Sequence, residues 1–104
     1  PNGESAQLVK QRVEQARNLQ RKRLEGTGLV SNAEMGPKQL STLLSISASG
    51  RRLLLDAYNR MGLSTRAYYR IMKVAATIAD LDGSSRIEEV HVAEALSYRQ
   101  RVLE

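Results

Sequence analysis

The chain has 104 residues, which is enough for one domain with a hydrophobic core of its own. It contains no cysteine, and this excludes disulfide bonds and thiolate metal sites. Lysine and arginine number 16 against 11 acidic residues, so the net charge is +5 and the isoelectric point is near 10.0. A basic surface of this kind favours phosphate groups, in a nucleotide or a nucleic acid, and ordinary solubility charge is the competing interpretation.

Composition also limits the secondary structure and the cellular location. Seven glycines and two prolines interrupt the chain, and all four aromatic residues are tyrosine, so aliphatic side chains must form the core. No apolar run reaches the ~18 residues of a membrane span, and no signal or transit segment opens the chain. We expect a cytoplasmic protein with no membrane partner. Because the chain does not begin with methionine, we expect a fragment of a larger protein.

The first predicted helix covers residues 5–25. Apolar side chains recur there near the helical period, and glycines at positions 26 and 28 end the pattern. The buried stripe is expected to comprise Val9, Val13, Ala16 and Leu19, with Leu8 and Leu24 beside it. Residues 1–4, which precede this stripe, are expected to be flexible. The other positions of the helix are mostly Lys, Arg, Gln and Glu, and they indicate a solvent-facing side.

Four more helices are predicted downstream, after a connector at 29–36. They cover residues 37–45, 48–61, 65–82 and 88–101. Serine residues at positions 47 and 64 are good N-caps for the third and fourth helices. In the last helix, Val92, Ala93 and Leu96 are expected to face the core, with Ile87 and Val90 anchoring the start. No segment shows the alternation of a strand, so the sequence predicts an all-α fold, a single five-helix bundle over residues 1–104.

The sequence carries no motif for catalysis on its own. The phosphate-binding loop, the dinucleotide-binding glycine pattern and the zinc-binding H-E-x-x-H pattern are all absent. His91 is the only histidine and has no cysteine beside it, so we expect a packing or surface residue and not a metal ligand. We therefore expect no catalytic residue, no metal site and no cofactor in this chain alone.

Basic residues are concentrated in two segments. Residues 5–25 carry a net charge of +4 and residues 51–73 a net charge of +5, whereas acidic residues gather in 80–94. Such asymmetry is typical of a face that meets phosphate. The candidate nucleic-acid contacts are Arg17, Arg21, Lys22 and Arg23. A solvated helix face with intramolecular ion pairs is the alternative, and the lack of interleaved aromatic residues argues against stacking on single strands.

The most specific local feature is Arg66 in the first turn of the fourth predicted helix, directly after Ser64 and Thr65. Free N–H groups and the positive helix end favour an anion at such a position. A guanidinium group there can bind two phosphate oxygens at once. Arg66 is therefore a candidate nucleotide contact, and Arg70 is a second one. An ordinary surface arginine is the alternative.

Four stretches of the chain resemble the magnesium-chelatase-related AAA+ ATPases, and in particular their competence-associated bacterial members. Residues 63–83, LSTRAYYRIMKVAATIADLDG, resemble a segment characteristic of that family. The stretch 87–99, the opening residues 3–20 and the connector 32–35 are similar to family segments as well. The departures in 63–83 are Thr65 for Ala, Tyr69 for Asp, Met72 for Leu and Ala76 for Arg. The likeness covers nearly the whole chain.

This resemblance implies a longer protein with a Lon-protease-like domain, a AAA+ core and this C-terminal helical lid. ATP and Mg would be bound mainly by the AAA+ core, and Arg66 occupies the position of the sensor-2 arginine. The partners implied are that core, neighbouring subunits of a hexameric ring, and DNA, since competence-associated members are described as hexameric helicases acting in transformation. Two alternatives remain: a basic nucleic-acid-binding module, and a subunit-contact module without a nucleotide role.

Overall fold

The computed structural model of the chain describes residues 2–102, and the side chains of residues 5–98. Its helices are α1 (Asn2–Arg23), α2 (Pro37–Leu43), α3 (Ala48–Met61), α4 (Thr65–Leu81) and α5 (Glu89–Val102), with a 3-10 turn at Asn32–Glu34. No strand occurs within residues 2–102, so the predicted all-α fold with five helices is confirmed. Pro1 and the side chains of residues 2–4 lie outside the described part, and the flexibility expected there stays a prediction.

Local capping explains why α3 and α4 begin and end where they do. The Ser47 hydroxyl accepts a hydrogen bond from the Gly50 N–H at 3.0 Å, and the Ser64 hydroxyl accepts one from the Ala67 N–H at 3.0 Å. Gly62 ends α3 with a φ of 62°, a left-handed conformation that glycine adopts without steric cost. Each of these bonds is local in sequence, and this is why the predicted bounds of α3 agree with the structure.

Helix α4 is the centre of the bundle and packs against each of the other four helices. Its inner side carries Ile71, Ala75, Ala76 and Ala79, which join a buried aliphatic cluster with residues of α3 and α5. A smaller cluster lies where the α1 end meets α2. Although α4 is the most apolar helix, no helix among residues 2–102 has the length and apolarity to cross a membrane.

The buried stripe predicted for α1 is only half right. Ala16 and Leu24 are buried, but Leu8 and Val9 are each 57% exposed. Helix α1 meets the C-terminal end of α4 from Arg12 onward, where the Arg12 Nε donates to the Leu81 carbonyl oxygen at 3.2 Å. Leu8 and Val9 lie about one turn before that contact, so α4 offers them nothing to pack on.

The inner side of α5 also differs from the prediction. Val92 and Ala95 are buried, whereas Ala93 is exposed and Val90 is 63% exposed. His91 takes the inner position, because its Nδ1 accepts the Glu88 N–H at 2.8 Å at the start of the helix. This is the acceptor role that Glu or Gln fills in a capping box. With His91 turned inward, positions 90 and 93 face outward.

A pair of backbone hydrogen bonds joins the starts of α3 and α5. The Ser47 N–H donates to the Ile87 carbonyl oxygen, and the Ile87 N–H donates to the Ser45 carbonyl oxygen, both at 2.8 Å. Gly50 lies directly beside this junction, where a Cβ atom would come within 3.3 Å of the Glu88 backbone carbonyl carbon. The absence of a side chain at position 50 allows the two helix starts to approach.

Candidate phosphate-contact site and basic grooves

Arg66 lies in the first turn of α4, next to the residues that cap the helix. Its side chain is exposed, and among the described residues it makes no hydrogen bond or ion pair. The neighbouring Ser64 hydroxyl is occupied by the Ala67 N–H, so it serves the helix and not a ligand. The guanidinium group of Arg66 can therefore reach outward beside the positive end of the helix, as the sequence suggests.

Arg70 lies one turn after Arg66 and on the same side of α4, since residues four apart in a helix are neighbours. It lines a shallow groove of about 390 Å³ together with Lys73, Val74, Ile78, Ala33 and Thr77. The Lys73 Nζ donates to the Ala33 carbonyl oxygen at 3.1 Å, which ties α4 to the 3-10 turn. We call this depression the α4 groove.

Two tyrosines on α4 pack edge to face beside the start of the helix. The Tyr68 and Tyr69 rings lie 5.4 Å apart at 84°, and both side chains are half-buried. Burial raises the pKa of the Tyr68 hydroxyl, and the nearby positive charge of Arg51 lowers that pKa in part. Tyr68 therefore stays neutral at physiological pH and keeps its hydroxyl proton.

A second groove, of about 370 Å³, runs between α1 and α4. Its apolar lining comes from Val13, Ala16, Val30 and Leu81, and its basic lining from Arg17 and Arg21. Val30 is 73% exposed, which makes it the most exposed large hydrophobic side chain among the described residues. We call this depression the α1 groove. It adjoins the α4 groove, because Thr77 lines both.

Arg23 differs from the other candidate nucleic-acid contacts, because its guanidinium group points into the protein. It donates to both carboxylate oxygens of Asp80, at 2.6 and 2.9 Å, and to the Asn32 amide oxygen at 2.9 Å. The Asn32 Nδ2 also donates to Asp80 at 2.8 Å. Asp80 is fully buried and the Arg23 side chain is 16% exposed. Arg23 therefore joins α1, the 3-10 turn and α4.

The structure separates the predicted site residues into three groups. Arg66 and Arg70 share one side of α4, whereas Arg17, Arg21 and Lys22 are exposed on α1. Arg23 belongs to the buried network. Sequence reasoning missed Asp80 and Asn32, although an acid within the apolar run of α4 was a signal that it needed a buried partner. No cluster of three metal-ligating side chains occurs among the described residues.

These features define an all-helical domain with a buried ion-pair network and an exposed basic surface. The family model described as "Magnesium chelatase, subunit ChlI C-terminal" matches residues 3–99. The chain therefore belongs to this family of magnesium chelatase C-terminal domains. No solved structure matches the chain.

Similar proteins are found in several bacteria. The chain is 39% identical over 100 residues to "Competence protein ComM" of Haemophilus influenzae, which covers 96% of the chain and 19% of that protein. It is 39% identical over 97 residues to YifB of Escherichia coli (93% and 18% covered). It is 36% identical over 97 residues to YifB of Salmonella typhimurium (93% and 18%). The chain spans about a fifth of the length of these relatives.

Proposed function

We propose that this domain is the C-terminal lid of a magnesium-chelatase-like AAA+ ATPase, and that Arg66 contacts the phosphates of ATP. The observation that carries this proposal is the exposed guanidinium group of Arg66 in the leading turn of α4, which makes no hydrogen bond or ion pair among the described residues. Membership of the family supports it, because the family match covers residues 3–99 and so includes the start of α4. We infer a cytoplasmic location for such an ATPase.

In this proposal, ATP and Mg are bound mainly by the AAA+ core of a longer protein. The residues of this chain fit a phosphate and not the metal, since the described part has exposed arginines but no cluster of metal ligands. Arg66 would bind phosphate oxygens, and Arg70 would add positive charge one turn away. A guanidinium group beside a helix start adds its charge where the helix end already favours an anion, and this stabilises the charge that develops on a transferring phosphoryl group.

The same contact would couple nucleotide state to domain position. Loss of a phosphate would remove the group that Arg66 binds, and the bundle could then rotate as a rigid body relative to the core. The buried network of Arg23, Asp80 and Asn32 would keep α1 and α4 together during that rotation. In a ring, which we propose to be a hexamer, such a rotation would move neighbouring subunits.

Replacing Arg66 with alanine in the full-length protein should lower ATP turnover about 10- to 100-fold, because one charge-assisted contact to phosphate is lost. Steady-state ATPase kinetics would measure this, with Arg66→Lys expected to retain an intermediate rate. Arg52→Ala is the matched control, since Arg52 is an exposed arginine on α3. The sensor role is wrong if the Arg66→Ala and Arg52→Ala proteins turn over ATP at the same rate.

A second candidate function is nucleic-acid binding through α1. The exposed side chains of Arg17, Arg21 and Lys22 favour it, and a DNA role would agree with a competence protein among the relatives. Binding of labelled duplex DNA to the isolated chain should then weaken steeply as salt rises, by about tenfold or more between 50 and 200 mM for a few phosphate contacts. Fluorescence anisotropy at the two salt concentrations measures this. Salt-independent binding, or none at 50 mM, contradicts it.

A further inference from the structure

The α1 groove and the α4 groove form one continuous surface, which we call the basic trough. Four basic residues line it: Arg17, Arg21, Arg70 and Lys73. Among the described residues no carboxylate lines either groove, and the acid at its edge, Glu34, accepts the Val30 N–H at 2.9 Å. Lys73 donates to the Ala33 carbonyl oxygen and Arg21 donates to the Asn18 amide oxygen, and both of these acceptors are uncharged. A ligand of the trough must therefore supply negative charge.

The trough is also apolar, and this decides between two kinds of ligand. Val30 is 73% exposed and Val74 is 42% exposed, and Val13 and Leu81 continue the aliphatic lining. A nucleic-acid backbone would leave these side chains in contact with phosphate and water, and no aromatic ring among residues 5–98 lines the trough for a base to stack on. A polypeptide that combines carboxylates with apolar side chains covers both features.

The outer side of α5 has this combination of side chains. We define the α5 outer face as the exposed residues Glu89, Val90, Ala93, Glu94, Ser97 and Tyr98. Val90 is 63% exposed and Tyr98 is 46% exposed, and the Tyr98 hydroxyl donates to Glu94 at 3.3 Å. Arg86, an exposed base shortly before α5 in the chain, is paired with Glu88. The face therefore presents two acids among apolar groups.

The two surfaces also agree in length and position. From Arg70 to Leu81 the trough follows α4 for about 16 Å, and from Glu89 to Tyr98 the α5 outer face extends about 14 Å, at 1.5 Å per residue. The trough is formed by α1, α4 and the segment between α1 and α2, and residues 89–98 of α5 contribute nothing to it. One molecule can therefore use both surfaces at once, each with a different neighbour.

We infer that the basic trough binds the α5 outer face of a second copy of this chain. Arg17, Arg21 and Arg70 meet Glu89 and Glu94, while Val30 and Val74 pack on Val90 and Ala93. Because the contact joins two different surfaces, it is head-to-tail, and a head-to-tail contact closes into a ring when its rotation permits. A helix face three turns long is small, so isolated chains associate weakly and other ring contacts strengthen the assembly.

This inference rests on the ring assembly in the proposed function, but not on the contact between Arg66 and ATP. It is tested by disulfide cross-linking, because the chain has no cysteine of its own. A Val74→Cys chain and an Ala93→Cys chain are mixed and oxidised. We expect the mixed disulfide dimer to exceed that of a control pair, Thr42→Cys with Ala93→Cys, by about fivefold or more. Thr42 is exposed on α2, away from the trough lining.

Charge reversal makes the test specific. Adding Arg17→Glu and Arg21→Glu to the Val74→Cys chain should abolish the excess, and adding Glu89→Lys and Glu94→Lys to the Ala93→Cys chain should then restore it. All four side chains are exposed, so the variants should keep their helices, and circular dichroism checks this. Arg66→Ala in either chain should leave the yield unchanged, which separates this test from that of the ATP contact.

Three results would overturn the inference. One is an equal yield from the mixed pair and the Thr42→Cys control. Another is an excess that survives reversal of only one surface, since charge complementarity would then not guide the contact. The third is the absence of any mixed dimer together with salt-sensitive binding of duplex DNA that Arg17→Glu and Arg21→Glu abolish. In that case the trough is a nucleic-acid surface.

Discussion

Replacing Arg23 with methionine is expected to destabilise the folded chain by about 3–5 kcal/mol. The substitution keeps an aliphatic stem in place but removes both hydrogen bonds that the guanidinium group donates to Asp80. The Asp80 carboxylate is fully buried, so it would be left with the Asn32 amide as its remaining side-chain donor. A domain of this size is usually stable by only about 5–15 kcal/mol, so a large part of its stability would be lost.

Urea denaturation followed by circular dichroism measures this loss. Arg60→Met is the matched control, because it makes the same substitution in a second Arg–Asp pair among the described residues. The Arg60–Asp56 pair is exposed, whereas the Arg23–Asp80 pair is not. The effect of Arg60→Met should be far smaller. The double variant Arg23→Met with Asp80→Leu should recover most of the stability, since it removes both buried charges together. Equal midpoints for Arg23→Met and Arg60→Met would contradict the structural role of the network.

Replacing Leu54 with alanine is the second change with a large expected effect, a loss of about 2–5 kcal/mol. Leu54 is 1% exposed and belongs to the main aliphatic cluster, where it lies among residues of α4 and α5. Shortening it removes buried methyl groups and leaves a cavity that the surrounding helices can fill only in part. Because α3 also packs directly on α5, the cavity would weaken that contact as well.

The next residue in the chain provides the control for this prediction. Leu55 is 44% exposed, so Leu55→Ala should change the free energy of unfolding by no more than about 0.5 kcal/mol. Both substitutions have the same chemistry on the same helix, and they differ only in burial. Similar losses for the two variants, measured by thermal or urea unfolding, would mean that the face of α3 is assigned wrongly.

The parts of the fold that depend on local sequence could be predicted. Ser47, Ser64 and Gly62 act on residues within one turn, and the helices next to them begin and end as expected. The buried residues of α4, among them Ile71, Ala75 and Ala79, recur at the helical period because most of that helix lies inside the bundle. Periodicity alone misled at Val9 and Ala93, since it identifies an apolar stripe but not whether another helix covers it.

The candidate site divides in the same way. The exposure of Arg66 followed from its place after a helix cap, which is a local property. The burial of Arg23 did not follow, because its partner Asp80 is 57 positions away along the chain and nothing in the surrounding residues indicates the pairing. Net charge counted along a segment treats every arginine alike, whereas the fold uses Arg23 for an internal ion pair and leaves Arg17 and Arg21 on the surface.

The paired backbone hydrogen bonds between Ser45–Ser47 and Ile87 have a consequence for how the domain opens. These bonds close a loop of about 40 residues that contains the whole of α3 and α4. Forming this loop lowers the conformational entropy of the chain, and the two bonds share that single cost. Helices α3 and α5 both begin at this junction. Neither helix can fray at its start without breaking the hydrogen bonds that also hold the start of the other helix. The Ser47 and Ile87 amide hydrogens should therefore exchange with solvent only when this half of the bundle opens as one cooperative unit.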